Sequence, residues 1–271
     1  MSSVDIKLPS RIVCLTEETT EWLYMLGQQD RIVGISGYTV RPPEARKEKP
    51  RISAFLSAKI DEILALRPDH VFGFSDLQAD IASSLIRHGV PVTIFNQRSI
   101  EEIFTMLSQV GAIVGQAEEA IRQIGVMQTH LKLMQAKSSN FKVRPKVYFE
   151  EWDSPCISGI KWVSELIAIA GGQDCFPELG IQSLAKNRII HDERLVIDRN
   201  PDIIIGSWCG KKFRSDRLAQ RSGWSNISAV KNQQVFEIKS PYILQPGPAA
   251  LTDGVSQIYQ IIENWQICQP I

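Results

Sequence analysis

The chain has 271 residues, 44% of them hydrophobic, enough for a substantial core in two modest lobes or one large domain. Lys+Arg and Asp+Glu each number 30, so the formal net charge is zero and bulk attraction to nucleic acid or anionic lipid is excluded as a basis for function. No apolar run approaches the roughly 20 residues that span a bilayer.

In chain order, Ile12–Leu15 reads as a strand and Glu18–Leu26 as a helix with acids in its first turn, where the positive helix end favours them. A helix over Ser57–Leu66, a strand over Val71–Phe74, a helix over Leu77–Arg87 and a strand over Val90–Phe95 follow. Ser99 and Glu102 have the spacing of a capping box and open a helix to Val114. A long Pro-free helix occupies roughly Gln116–Ala136, and the polar stretch Lys137–Arg144 stops at Pro145. Strand Lys146–Glu150, helix Trp162–Ala170, strands Ile203–Gly206 and Gln234–Ile238, and a helix near Ala249–Trp265 complete the chain. This alternation predicts an α/β fold with mainly parallel sheets covered by helices.

Two segments recur in the same order. Glu21–Gly27 and Glu165–Gly171 are short apolar helices stopped by Gly. Pro68-Asp69-His-Val-Phe-Gly73 is echoed by Pro201-Asp202-Ile-Ile-Ile-Gly206, each a Pro-Asp turn into a buried strand ending in Gly. The repetition predicts two similar lobes, residues 1–115 and 144–271, joined by one long helix within 116–143. That joint lacks the Gly and Ser of a flexible linker.

The N-terminal stretch Met1–Thr16 lacks the basic, apolar and small-residue parts of a secretory leader. It predicts a cytoplasmic location, or a periplasmic one for a chain whose leader has been removed. The five cysteines are scattered and odd in number, without CxxC, and the four histidines show neither HxxxH nor HxH. Neither a disulfide framework nor a metal site built from local ligands is expected.

Several segments match a known pattern. Arg11–Glu21, then Leu26-Gly27 and Asp30–Ser36, resemble the opening of the substrate-binding proteins of cobalamin, siderophore and haem ABC importers. So do Ala65–Asp69, Ala170–Gly172, Asn200–Asp202, Gly223-Trp224, Ala229–Lys231 and Pro246–Pro248, and Ser36–Tyr38 with Pro42-Pro43 resembles the cobalamin-binding branch. The resemblance implies two α/β lobes on one long helix, a ligand held between them without catalysis or a cofactor, and cobalamin or a related corrinoid as that ligand. A ferric siderophore or haem is the alternative ligand. A cytosolic enzyme or metal-handling protein on the same scaffold is the alternative class. The resemblance also implies docking onto the membrane subunits of a transporter through one acid per lobe. Asp61 or Glu62 fits in the first lobe, whereas the matching position of the second carries Arg194, with Glu193 beside it.

Loops after the strands would line the ligand site. They offer Thr16, Glu17, Tyr38, Phe74, Ser75, Asn96, Gln97 and Arg98 in the first lobe, and Glu151, Trp152, Asp153, Trp208 and Cys209 in the second. Tyr38, Phe74, Trp152 and Trp208 supply flat apolar surface, although either Trp could equally pack as core. Glu151 and Asp153, two apart in an extended segment, are expected on one face. They would suit an amide-bearing or cationic ligand, or be a solvated strand end. Lys211, Lys212, Arg214 and Arg217 form either a solvated helix face or a seat for an anionic group. Trp22 and Trp265 sit in apolar helical stripes and are expected in the core.

Overall fold

The computed structural model describes residues 7–268; residues 1–6, part of the N-terminal stretch considered above, and 269–271 lie outside it. Two compact units emerge. One contains residues up to Gln97 and Glu101–Val126, the other Arg98–Ile100 and the residues from Met127 onward.

The first unit is built on a fully parallel sheet of order β3-β2-β1-β4-β5. Its strands are β1 (Ile12–Cys14), β2 (Ile32–Ser36), β3 (Arg51–Ser53), β4 (His70–Phe74) and β5 (Val92–Phe95). The helices are α1 (Glu17–Met25), α2 (Ala45–Glu48), α3 (Ile60–Ala65), α4 (Ala79–Arg87) and α5 (Ile100–Ile113). Ile12, Val13 and Cys14 are wholly buried, as expected of a central parallel strand covered on both faces. Strands β2 and β3 were not anticipated; Ile32–Ser36 is interrupted by Gly34, and β3 has only three residues. The helix expected from Ser99 begins one residue later, and the Ile100 amide donates to the Glu165 carboxylate at 2.7 Å.

Helix α6 (Ala117–Ser138) is unbroken over 22 residues, matching the Pro-free stretch, and the unit boundary at Val126/Met127 falls inside it. The second unit contains β6 (Lys146–Asp153), β7 (Cys156–Ser158), α7 (Lys161–Ile169), β8 (Gln173–Asp174), α8 (Pro177–Gly180), α9 (Arg194–Arg199) and β9 (Ile203–Gly206). It continues with α10 (Ser215–Ala219), α11 (Ser228–Lys231), β10 (Val235–Glu237), α12 (Ser240–Ile243) and α13 (Val255–Ile267), the last preceded by a π-helical turn over Ala250–Gly254. The sheet order is β10-β9-β6-β7, with β8 beside the start of β6; only β7 is antiparallel.

The sequence echo has a structural basis. The neighbours β2-β1-β4-β5 correspond to β8-β6-β9-β10, and a helix follows the central strand, directly in the first unit and after β7 in the second. Helices α1 and α7 end identically. The amides of Gly27 and Gln28 donate to the carbonyls of Tyr24 and Leu23, and those of Gly171 and Gly172 to Ala168 and Ile167. Gly27 and Gly171 have φ of 68° and 95°, the left-handed conformation this helix stop requires. The Pro-Asp turns also act alike. The Asp69 carboxylate accepts from the amides of Ser10 and Arg11 at 2.8–3.0 Å, and Asp202 from Lys146 at 2.8 Å. The Asp69 and Asp202 amides return the bond to the carbonyls of Arg11 and Lys146.

Trp22 on α1 is fully buried, and its indole N–H donates to the Leu107 carbonyl on α5 at 2.8 Å. Trp265 is also buried, as its apolar stripe implied. Trp22→Ala should therefore cost about 3–5 kcal/mol of stability, the usual penalty for excavating a core aromatic. Thermal melts check this; a change in Tm below about 2 °C would show that the α1–α5 contact contributes little.

Candidate functional site

Strand order in the first sheet reverses between β1 and β4, since the chain leaves β1 toward β2 on one side and later returns to β4 on the other. Open parallel sheets take ligands at the carboxyl ends of strands flanking such a reversal. Thr16, Glu17 and Glu18 stand at the end of β1, and Ser75 at the end of β4.

Glu18 is 1% exposed and bonded to the Thr16 hydroxyl at 2.6 Å; among the described residues it has no ion pair. Burial pushes its carboxyl up to about 8, partly opposed by the Thr16 bond, and pushes that of half-buried Glu17 up to about 7. Glu21, one turn on, pairs with Arg41 at 2.8 Å. Ser75 is buried at φ 65°, a strained conformation for a residue with a Cβ, and its hydroxyl accepts from the Leu77 amide. The Gln78 side chain accepts from the Phe74 amide and donates to the Phe55 carbonyl, tying the β3 and β4 loops together.

Of the first-lobe candidates, Tyr38 is 50% exposed and Asn96 is exposed, while Thr16, Phe74, Ser75 and Gln97 are buried. Arg98 is half-buried and belongs to the second unit. Two exposed apolar residues at the same strand ends, Leu56 and Leu77, were not singled out from sequence. Leu56 stands just before one expected helix and Leu77 at the first position of another, and lone surface leucines are common.

In the second unit β6 runs on through Asp153 and turns into β7, so Glu151–Asp153 are part of a hairpin and not a free loop. Glu150 pairs with Ser158 and Trp152 with Ile157, leaving Glu151 as an extra residue, a β-bulge. The alternation used to put Glu151 and Asp153 on one face therefore does not hold. The Glu151 carboxylate instead meets Arg188 at 2.6 Å, and Arg188 is buried among the carbonyls of Ser158, Gln182 and Ser183. Asp153 meets Lys211 at 2.6 and 2.7 Å.

Glu150, at the start of the acidic run expected to line the site, is instead the centre of the unit's polar core. It is wholly buried and accepts from Arg221 at 2.5 and 2.9 Å, from the Tyr148 hydroxyl at 3.0 Å and from the Trp208 indole at 3.1 Å. Burial raises its pKa, opposed chiefly by Arg221. Trp208 is buried, edge-on to Phe213 at 4.8 Å. Gly206 makes room for that ring, because a Cβ there would lie 1.9 Å from Phe213. Trp152 is half-buried, and Cys209 is exposed. Among the described residues no group of three or more His, Cys, Asp or Glu is placed to hold a metal ion, and no helix is long and apolar enough to cross a membrane.

Asp61 and Glu62 lie exposed in the first turn of α3, Glu62 bonded to Lys59 at 2.9 Å. Glu193 is exposed just before α9, where Arg194 pairs with Asp192 at 3.0 Å.

The buried acid at position 18 has a pH signature. A folded-state pKa near 8, against an ordinary 4.5, means the folded chain keeps a proton that the unfolded chain releases. Stability should therefore fall as pH rises from about 4.5 to about 8. Glu18→Gln should melt several degrees above wild type at pH 8.5 and within about 1 °C of it at pH 4.5. Equal melting temperatures at both pH values would show that this carboxyl ionises normally.

Comparison with known proteins places this architecture. The family described as periplasmic binding protein matches residues 12–242. The uncharacterized ABC transporter substrate-binding lipoprotein YvrC of Bacillus subtilis is 24% identical, covering 94% of this chain and 81% of its own length. A vitamin B12-binding protein of Vibrio parahaemolyticus is also 24% identical, covering 94% and 89%. The solved periplasmic heme-binding protein RhuT of Roseiflexus superposes with a TM-score of 0.78 at 22% identity, over 93% of this chain and 98% of its own, a likeness of two-lobed fold. The expectation of a cytoplasmic location is corrected by these findings: the relatives are a lipoprotein and periplasmic proteins, which work outside the cytoplasm. The family pattern runs from the first residue of β1 into α12, and the chain belongs to the periplasmic binding protein family.

Proposed function

We propose that this protein is the solute-binding component of an ABC importer, working outside the cytoplasm, and that its solute is cobalamin or a related corrinoid, bound without chemical change. The observation that carries the corrinoid reading is the charge at the carboxyl edge of the first sheet. Residues 16–18, 37–39, 75–76 and 96–98 include a single Arg, Arg98, and no Lys. Glu17 and Glu18 are raised toward neutrality, and the exposed side chains at these strand ends include the apolar Tyr38, Leu56 and Leu77. A corrinoid offers an apolar ring edged with uncharged carboxamides, which this edge suits. Haem propionates or an anionic siderophore call for cations. The vitamin B12-binding relative, aligned over nearly the whole chain, supports the same choice.

On this reading Thr16, Glu17, Tyr38, Phe74, Ser75, Asn96 and Gln97 of one lobe, and Arg98, which falls in the second unit, Glu151, Trp152, Asp153, Trp208 and Cys209 of the other, contribute to the ligand site. The buried members act by holding the loops. Residues 1–115 and 144–271 form the lobes, with 116–143 as the bridge. Asp61 or Glu62 and the Glu193 region meet the transporter's membrane subunits.

Titration with cyanocobalamin, followed by its visible absorbance and by calorimetry, tests this, with hemin and a ferric siderophore in parallel. Saturable binding of cyanocobalamin, tighter than the other two, is expected; binding of hemin alone would overturn the corrinoid reading. Trp152→Ala should weaken binding by about 1–3 kcal/mol with little effect on folding, as truncation of an aromatic anchor does. Unchanged affinity would remove Trp152 from the site.

A further inference from the structure

At the carboxyl ends of β6 and β9, three of the residues assigned above to the solute site, Trp152, Asp153 and Trp208, surround the Lys211 ammonium, a contact that the solute reading leaves unexplained. The Lys211 ammonium lies 2.6 and 2.7 Å from the two carboxylate oxygens of Asp153, and 5.0 Å from the ring centroids of both Trp152 and Trp208. Indole faces are the best aromatic partners for a cation, effective within about 6 Å of the centroid. Two of them with a carboxylate have the composition of a cation-binding cage. We propose that Asp153, Trp152 and Trp208 form a binding site for an organic ammonium group, and that Lys211 is its resting occupant.

The walls of the cage are fixed by bonds that do not involve Lys211. The Trp208 indole N–H is spent on Glu150 at 3.1 Å, and Glu150 is itself held by Arg221 and Tyr148. The Trp152 indole N–H donates to the Ser154 carbonyl at 3.1 Å. Both rings therefore keep their orientation whether or not an ammonium lies between them. Asp153 is 14% exposed with Lys211 in place, and removing that ammonium leaves its carboxylate without the ion pair, a drive to recruit another cation.

The occupant is less fixed than its walls. Lys211 is 37% exposed on its side chain and follows Gly210, which has a φ of 70° and open space where a Cβ would stand. The tether supplies the Lys211 ammonium at high effective concentration, so a small free amine competes poorly in the wild type. A ligand already held in place by other contacts would compete well. The sequence pairing of Asp153 with Lys211 is invisible without the fold, because the two lie on different strand ends.

This inference shares Trp152, Asp153 and Trp208 with the proposed solute site but does not depend on the solute being a corrinoid, and its test uses simple amines. Lys211→Ala is titrated with n-butylammonium chloride at constant ionic strength, with sodium chloride as the control, reading tryptophan fluorescence and Tm. Saturation in about the 1–100 mM range is expected, with the Tm lost on truncation partly restored. The wild type should respond at least tenfold more weakly, and Lys211→Ala combined with Asp153→Asn should not saturate. A response equal to sodium chloride, or one unchanged in the double variant, overturns the proposal. Should Lys211→Ala not fold, Lys211→Gln leaves the stem and removes the charge, and the same saturable, Asp153-dependent signal is required.

Discussion

In each unit the central strand is started by a carboxylate. Asp69 and Asp202 bind the amides at the beginnings of β1 and β6 while their own amides bind back to the carbonyls there. Such a reciprocal clamp leaves no freedom of register: Ile12 must face His70, and Val147 must face Ile203. The strands are short, three residues in β1 and four in β9, so a fixed beginning also fixes the end. Thr16 and Ser75 in one unit, and Glu150 and Ser207 in the other, are thereby held level at the edge where the candidate ligand contacts stand. A carboxylate accepting from main-chain amides is a charge-assisted contact, stronger than a neutral hydrogen bond.

On this shared scaffold the two units carry different electrostatics. At the end of β1, Glu17 and Glu18 are buried or half-buried acids with no ion pair among the described residues, and their carboxyls hold protons near neutral pH. At the end of β6, three acids in four residues each have their own base: Arg221 for Glu150, Arg188 for Glu151 and Lys211 for Asp153. An acid buried with a base is held in one orientation by short hydrogen bonds, whereas one buried alone favours its neutral form. One strand end is thus a set of weak donors and acceptors, and the other a set of oriented acid–base pairs.

The duplication was legible because its markers are chemically constrained. A helix stopped by a left-handed residue calls for Gly at 27 and 171, and a clamp calls for Asp at 69 and 202. Apolar periods gave the longer helices, and the absence of Pro gave α6 to within two residues of its end at Ser138. What escaped was set by tertiary contacts. The short edge strands β3 and β7 have too few residues to show a period. The bulge at Glu151 depends on the partner strand, so the alternation of acids along β6 misled. Trp152 and Trp208 look alike in sequence, but only Trp208 has a buried glutamate to receive its indole proton and is drawn into the core. Glu150, the hub of that core, stands among acids that composition alone cannot rank.

The hairpin makes this strand sensitive to its length as well as to its letters. Side chains on a strand alternate, so the count of residues between the clamp at Lys146 and Glu150 decides which side chain reaches the interior. Deleting Phe149 would turn Glu150 to the opposite face and away from Arg221, with every charge still present in the chain. Replacing Glu151, the extra residue, would leave the pairing of Glu150 with Ser158 intact but deprive the buried Arg188 of its carboxylate. Over evolutionary time, relatives that keep Arg221 and Arg188 should therefore keep both the spacing of this strand and an acid at its extra residue.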